Sequence, residues 1–125
     1  MMQFVDSNVI IKAFTNNSEK ENCRRVLSEE FITNAICLVE AHHAISIIRK
    51  DKDYATNSIK SLFKNQGLII DLDKDLLFEA FRRIEKYDLN IFDLINYAAA
   101  LIHNCSKFVS YDKDFDDLEI KRVEP

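Results

Sequence analysis

Four acidic residues occupy positions that are unusual for an ordinary solvent-exposed carboxylate. Asp6 follows the apolar run Met2–Val5, and Asp112 follows the apolar segment Lys107–Tyr111. Glu40 and Asp93 lie in segments with helical spacing of apolar residues. Carboxylates in apolar surroundings are costly unless they are paired, hydrogen-bonded or bound to a metal. These four acids are therefore the first candidates for chemistry.

Asp6 and Asp112 each stand where a predicted strand ends. In a parallel sheet the carboxyl ends of the strands share one edge, and α/β proteins bind ligands at that edge. The topology would bring the two carboxylates together although they lie far apart in sequence. The alternative for each acid is that it caps a helix or forms a turn after its strand.

Glu40 lies on an apolar helix face, with Ile36, Ala44 and Ile47 at helical spacing. It would need a metal or a cation beside it. The alternative to a metal site is a buried ion pair with one of four arginines: Arg24, Arg25, Arg82 or Arg83.

Asp93 begins the segment 94–105, which is too apolar to be a surface helix. The spacing from Asn90 to Asp93 resembles a capping box, with Asp in place of Glu. That structural role does not exclude a functional one, because a carboxylate at a helix N-terminus stays ionised and can bind a cation.

Together the four acids predict a site made of oxygen ligands. Such a ligand set, without His or Cys, selects Mg²⁺ or Mn²⁺. An ion held there can lower the pKa of water and neutralise charge that develops on a phosphodiester.

Several other functional classes are excluded or weakly supported. With the single glycine Gly67, no glycine-rich phosphate loop is possible. His42 and His43 are adjacent and do not form a zinc-protease motif, and no serine lies in a nucleophile elbow. The formal net charge of −4 does not favour nucleic-acid binding by bulk charge. An RNA substrate would therefore need a divalent ion to offset the carboxylates.

The pattern of apolar residues predicts strands alternating with helices over residues 1–125, which we expect to form one domain. The expected class is α/β, a three-layer α/β/α arrangement with a mainly parallel sheet of four to five strands. Gly67 is expected to end a helix. The predicted strands are Met2–Val5, Leu68–Leu72, Lys107–Tyr111 and Ile120–Val123. The predicted helices are Val9–Phe14, Ser18–Phe31, Ala35–Lys50, Ser58–Asn65, Asp75–Lys86 (with Leu77, Phe78, Phe81 and Ile84 facing inward) and Leu94–Cys105.

The sequence predicts a cytoplasmic protein without a membrane segment. No apolar run approaches the ~20 residues that span a bilayer. The N-terminus lacks a basic region and a cleavage site typical of a secretion signal. Cys23, Cys37 and Cys105 are odd in number and widely spaced, which favours reduced, buried thiols over disulfides or a zinc site.

Four segments together resemble the PIN-domain proteins, particularly the short VapC-type toxins of prokaryotic toxin–antitoxin pairs. The segments are FVDSNVII, LVEAHHAI, DLNIFDLINYAAALI and FVSYDKDFDDLEIKRVEP, and the resemblance covers essentially the whole chain. One departure is the segment 103–107, which lacks a glycine often found before the last strand.

The resemblance implies a five-stranded parallel sheet with Asp6, Glu40 and Asp93 around one or two Mg²⁺ or Mn²⁺ ions. The fourth acid would be Asp112, with Asp114 as the second choice. Ser7 and Asn8 match the residues that follow the first acid, where they would help to hold a water molecule or a phosphate. Further implications are cleavage of single-stranded or looped RNA, a homodimer and neutralisation by a small antitoxin.

The leading functional hypothesis is thus a metal-dependent endoribonuclease that acts as a toxin. The alternatives are a housekeeping RNA-processing or DNA-directed nuclease with the same site, and a catalytically silent PIN-like scaffold. Clustered cations at Arg49, Lys50 and Lys52 are candidates for RNA binding. Self-association is expected because the early helices carry surplus apolar residues, namely Val9, Ile10, Phe14, Ile47 and Ile48.

Overall fold

Five parallel strands form the central sheet, in the order β3-β2-β1-β4-β5. The computed structural model describes residues 2–64 and 67–125. The mainly parallel α/β sheet expected from the sequence is therefore confirmed, with all five strands parallel. The strands are β1 (Gln3–Val5), β2 (Phe31–Asn34), β3 (Gly67–Ile70), β4 (Lys107–Val109) and β5 (Lys121–Val123).

Within residues 2–64 and 67–125, six α-helices and one 3₁₀ turn connect these strands. Most of the helices begin at a residue whose side chain caps the helix N-terminus. The capping side chains, which each accept a hydrogen bond from a backbone N–H, are those of Asp6, Asn34, Asp51, Asp73 and Asn90. No helix in the described part of the chain is both long and apolar enough to cross a membrane. The helices are α1 (Ser7–Ala13), α2 (Lys20–Leu27), α3 (Ala35–Arg49), α4 (Lys52–Leu62), α5 (Lys74–Phe81) and α6 (Ile91–Ile102), and the 3₁₀ turn is η1 (Lys113–Phe115).

The direction of strand addition reverses at β1. The chain first adds β2 and β3 on one side of β1, then returns to add β4 and β5 on the other side. Such a reversal opens a crevice at the carboxyl ends of the two strands that meet there. In this protein those strands are β1 and β4, so residues that follow Val5 and Val109 lie at the crevice.

An aromatic cluster fixes the core beneath this crevice. The ring of Phe4 stacks on that of Phe108 with centroids 5.1 Å apart, and Phe115 lies 4.2 Å from Phe108. Tyr97 of α6 packs against Phe108 at 5.7 Å. All four side chains are fully buried. The cluster therefore ties together β1, β4, α6 and the 3₁₀ turn.

The sequence interpretation missed β2 and assigned Phe31 to a helix instead. The helix is shorter than expected and ends at Leu27, and Phe31 opens the strand. All four β2 residues are buried, so the strand lacks the polar–apolar alternation that identifies a half-buried strand.

The expectations for the next segment were also partly wrong. Helix α4 begins at Lys52, so the polar stretch before Ser58 is helical. Gly67 does not end a helix but opens β3. The expected helix end at Asn65 lies outside the described residues.

Two expectations about buried faces need correction. Helix α5 ends at Phe81, and the side chains of Phe78, Phe81 and Ile84 are exposed rather than inward-facing. Conversely, Val9 and Ile10 are fully buried and cannot contribute to a self-association surface.

Candidate metal centre

Three carboxylates converge at the crevice beyond β1 and β4. One oxygen from each of Asp93, Asp112 and Asp114 lies within 4.8 Å of the other two. Asp93 is supplied by the first turn of α6, and the other two by the segment that follows β4. Topology thus brings together acids from two separate parts of the chain, as expected for Asp93 and Asp112. Asp114, the second choice for the fourth acid, joins them.

Asp6 lies at the end of β1 and is only 4% exposed. Its Oδ1 accepts a bond from the backbone N–H of Ser7 at 2.8 Å, which caps α1. Its Oδ2 accepts a bond from the hydroxyl of Ser110 at 2.8 Å. The capping role considered for Asp6 is therefore real. It holds the carboxylate in one orientation at the strand end.

Ser110 is the site residue that sequence reasoning missed. Its fully buried hydroxyl donates to Asp6 and accepts bonds from Nδ2 of Asn8 and from the backbone N–H of Asp112, each at 3.0 Å. One hydroxyl thereby connects β1, α1 and the turn that carries Asp112. The sequence signal was a small polar residue directly after a buried strand and two positions before an acid.

Asp93 takes part in the capping arrangement expected from its sequence. Oδ1 of Asn90 accepts the backbone N–H of Asp93 at 2.9 Å, and Nδ2 of Asn90 donates to Oδ2 of Asp93 at 3.1 Å. Both contacts orient the carboxylate at the N-terminus of α6, where the helix dipole favours negative charge. The capping role and the convergence with two other acids therefore coexist.

Asp112 likewise has a structural role in its own turn. Its Oδ1 accepts the backbone N–H of Asp114 at 2.9 Å and caps η1. Phe115, the last residue of η1, is fully buried in the aromatic cluster. The turn is thereby anchored to the core while Asp114 stays exposed.

Glu40 on α3 is half-buried and close enough to Asp6 for the two charges to interact. No ion pair of Glu40 is found within residues 2–64 and 67–125. Among the arginines considered as partners, Arg82 and Arg83 pair with Glu79 instead. The structure therefore does not support the buried ion pair that was the alternative for Glu40.

Ser7 and Asn8 follow Asp6 in the first turn of α1. The Asn8 amide is engaged inside the protein: Nδ2 donates to Ser110, and Oδ1 accepts the backbone N–H of Tyr111 at 3.2 Å. Asn8 thus links α1 to the end of β4. Ser7 contributes its backbone N–H to Asp6.

Burial and mutual repulsion raise the pKa values of three of these acids. The pKa of Asp93 is raised to about 6, by burial first and then by the charges of Asp6, Asp112, Glu40 and Asp114. Burial is also the main cause that raises the pKa of Asp6, against the hydrogen bond from Ser110, which lowers it. Burial and the charge of Asp6 raise the pKa of Glu40. The site is therefore an electrostatically crowded group of carboxylates.

The donor set fits a hard divalent cation. It consists of carboxylate oxygens, which Mg²⁺ and Mn²⁺ prefer over nitrogen or sulfur ligands. Asp93, Asp112 and Asp114 lie close enough together to share one ion. Burial and, after it, the negative charge of the neighbouring acids raise the pKa of Asp93, and a cation would neutralise that charge.

Comparison with known protein families finds a match over most of the chain. The sequence model described as "PIN domain" matches residues 3–121. A comparison with curated proteins finds no match.

Solved structures share the whole fold at low sequence identity. VapC20 of Mycobacterium tuberculosis, described as a toxin that cleaves the sarcin–ricin loop, has 15% identity and a TM-score of 0.81, covering 98% of this chain and 99% of that chain. A toxin–antitoxin complex from Klebsiella pneumoniae has 16% identity and a TM-score of 0.76, with 97% and 95% coverage. VapBC2 from Rickettsia felis, bound to a DNA fragment from its promoter, has 16% identity and a TM-score of 0.73, with 100% and 99% coverage.

Proposed function

The chain belongs to the PIN domain family, and from this premise we propose that it is a Mg²⁺- or Mn²⁺-dependent endoribonuclease. The observation that carries the proposal is the convergence of the Asp93, Asp112 and Asp114 oxygens within 4.8 Å of one another, beside the buried Asp6. The family relationship supports a nuclease, and the oxygen donor set supports the divalent ion.

The reaction is hydrolysis of an RNA phosphodiester bond. Asp93, Asp112 and Asp114 would hold the divalent ion, which when bound would supply a lowered pKa for water and neutralise charge on the phosphate. The water oxygen bonds to phosphorus, the P–O3′ bond breaks, and the leaving 3′ oxygen takes a proton from solvent, which leaves a 5′-phosphate and a 3′-hydroxyl. Glu40 accepts the proton from the attacking water, because its carboxylate has a raised pKa and no cation paired with it in the described part of the chain.

Ser7 and Asn8 stand next to Asp6 at the mouth of the crevice. Asn8 has its amide committed to Ser110 and Tyr111, so we assign it to holding the α1 end of the site in place. We assign the Ser7 hydroxyl to hydrogen bonding with the attacking water or with the substrate phosphate.

The direct test is RNA cleavage by the purified protein with Mn²⁺ and with EDTA, followed by sequencing of 5′-phosphate ends. We expect cleavage with Mn²⁺ and loss of at least ~10²-fold in Asp6→Asn, the scale of losing a positioned catalytic group. A folded Asp6→Asn protein that cleaves at the wild-type rate would show that the site is wrongly assigned.

We propose further that the nuclease acts as the toxin of a VapBC-type pair and is neutralised by a small antitoxin. The support is the fold shared with toxins and toxin–antitoxin complexes. Expression should arrest growth, and co-expression of a small DNA-binding protein encoded beside the gene should relieve the arrest. A housekeeping processing nuclease would cleave RNA without such a partner, and a silent scaffold would not cleave RNA at all.

A cleft of about 640 Å³ between α1, α2 and the end of α4 is a candidate binding site for the antitoxin. Phe14, Leu27 and Leu62 line it together with the cations Arg24 and Lys64. This chemistry suits an acidic amphipathic segment. The double variant Arg24→Glu/Lys64→Glu should release the antitoxin, whereas Lys107→Glu on β4 should not.

The proposed RNA-binding cations lie at the tip of the α3–α4 hairpin. Arg49 stacks over the ring of Tyr54 at 4.2 Å, and Lys50 and Lys52 are exposed. Glu40 and Arg49 are nine positions apart on α3, about 14 Å at 1.5 Å per residue. That distance places the cations within a few nucleotides of the acids. A looped or single-stranded RNA is the proposed substrate class.

We also propose that residues 1–125 work as a single PIN-like unit that forms a homodimer in the cytoplasm. The exposed side chains of Val39, Ile47 and Ile48 give α3 an apolar outer surface that supports pairing with a second copy. The three cysteines are free and buried, which fits a reducing compartment.

A further inference from the structure

Arg122 of β5 contacts both ends of the segment that carries two of the three converging acids. Its Nη1 donates to the backbone carbonyl of Ser110 at 2.9 Å, where the segment begins. Its Nε donates to Oδ1 of Asp116 at 2.6 Å, directly after η1, where the segment ends. Asp112 and Asp114 lie between these two contacts. The guanidinium therefore bridges the turn from one end to the other.

The side chain of Arg122 is well placed to resist movement. It is only 13% exposed, and a third contact joins Nη1 to Glu124 at 2.9 Å. The planar guanidinium presents several N–H donors at fixed angles, so simultaneous bonds to a carbonyl and to carboxylates hold their relative positions. Lysine offers no equivalent geometry.

The charge of Arg122 is directed at acids outside the converging group. Its two ion pairs are with Asp116 and Glu124, and neither residue belongs to the group of Asp93, Asp112 and Asp114. Arg122 thus helps to position the segment. It is not one of the groups that would bind the metal ion.

The turn needs such a support because its acids repel one another. Asp112 and Asp114 face Asp93 with their oxygens within 4.8 Å. Like charges this close push apart when no cation lies between them. Phe115 anchors the turn to the core from below, and Arg122 joins the two ends of the turn.

We infer that Arg122 is a positioning residue that holds the Ser110–Asp116 segment in the geometry required to bind the divalent ion. The inference rests on the proposed function, because it presumes that these acids take Mg²⁺ or Mn²⁺. Arg122 would therefore affect the affinity of the site for the metal ion, and it would take no part in bond breaking. Loss of such an outer contact typically weakens metal affinity about 10- to 100-fold.

The test measures Mn²⁺ affinity directly, by calorimetry on the full chain, and separately the Mn²⁺ dependence of RNA cleavage. Arg122→Met should raise the Kd for Mn²⁺ about tenfold, while kcat at saturating Mn²⁺ stays within about twofold of wild type. Arg122→Lys should recover only part of the affinity. Arg82→Met is the matched control, because Arg82 also donates from Nε to a carboxylate, that of Glu79 at 2.7 Å on α5.

Asp116→Ala provides a second variant, which decides the matter if Arg122→Met does not fold. It removes one end of the bridge and should also weaken Mn²⁺ binding, by less than Arg122→Met. Combining the two changes should weaken binding no more than Arg122→Met alone, because both act through one contact.

The outcomes separate this inference from the proposed function. A wild-type protein that binds no Mn²⁺ would overturn both. Wild-type binding together with an unchanged Kd in the folded variants would overturn the role of Arg122 and leave the metal site in place. A kcat that falls at saturating Mn²⁺ with an unchanged Kd would also contradict a positioning role.

Discussion

The hydroxyl of Ser110 donates a 2.8 Å hydrogen bond to Oδ2 of Asp6, joining the ends of two neighbouring strands. The same hydroxyl accepts bonds from Asn8 and from the backbone N–H of Asp112. A single buried atom thus orients one acid and the turn that carries two others.

Replacing Ser110 by alanine should impair both stability and cleavage. The change leaves partly buried donors on Asn8 and Asp112 without the Ser110 hydroxyl as acceptor, which costs about 1–3 kcal/mol. It also removes the bond that lowers the pKa of Asp6, so Asp6 should be protonated at a higher pH. We expect cleavage to fall about tenfold or more. Ser61→Ala is the control, since Ser61 is an exposed residue and its hydroxyl donates to the carbonyl of Ser58 in the same helix. Equal activity of the two variants would contradict this prediction.

Divalent metal should stabilise the native protein through Asp93. At a hundredfold excess over Kd, Mn²⁺ adds about 2.7 kcal/mol to the free energy of unfolding. For a chain of this length that raises Tm by very roughly 10 °C. Asp93→Asn should largely remove the response, because it deletes a converging charge while the amide can keep its contact with Asn90. Asp88→Asn, at an exposed position, should respond like wild type.

Thermal melts with EDTA and with millimolar Mn²⁺ measure this response. Without metal, Asp93→Asn should melt at or above the wild-type temperature, because it relieves repulsion within the site. A wild-type Tm that does not change with Mn²⁺ would leave the metal site without support.

The stability of the metal-free protein should depend on pH through Asp93. Its pKa is about 6 in the folded protein and near 3.8 in the unfolded chain, so the folded state holds the proton more tightly. The resulting stabilisation is fully present below about pH 4 and is lost as the pH rises through 6. Urea unfolding in EDTA should show the wild type losing stability relative to Asp93→Asn across that interval. A constant difference between the two proteins would contradict the raised pKa.

Gly67→Ala should destabilise the fold without touching the acids. A Cβ atom at Gly67 would lie 2.3 Å from Cζ of Phe31, which is buried in the neighbouring strand. Overpacking of this kind costs about 1–3 kcal/mol. Adding Phe31→Leu should restore part of the loss. Leu68→Ala, at an exposed side chain on the same strand, should change little, and an equal effect of both substitutions would refute the steric explanation.

Ile47→Glu combined with Ile48→Glu should convert the proposed dimer to a monomer. These side chains are 61% and 56% exposed and form part of the apolar surface of α3. Light scattering at tens of micromolar measures the mass. Phe78→Ser, at an equally exposed position on α5, should leave the mass unchanged. A wild-type monomer would contradict the dimer itself.

The sequence predicted which residues the sheet topology brings together better than it predicted some of the local secondary structure and burial. Asp6 and Asp112 were placed at one sheet edge because strand direction alone determines that edge. Phe31 was misassigned because β2 is short and buried on both faces. The role of Ser110 was not predicted, because it depends on hydrogen bonds with three partners that only the folded chain brings together. Phe78 and Phe81 were expected inside, and nothing in their periodicity distinguishes a core face from an exposed one.

The uniform direction of the five strands also gives the protein a convenient side for chemical labelling. The acids gather at the carboxyl edge, and Lys107 is exposed at the opposite, amino edge of β4. The native thiols are buried and burial raises their pKa, to about 11 for Cys105. Maleimide dyes react with thiolates, so Lys107→Cys would supply a single accessible attachment point. A fluorophore placed there would report encounters with RNA or a protein partner from outside the crevice.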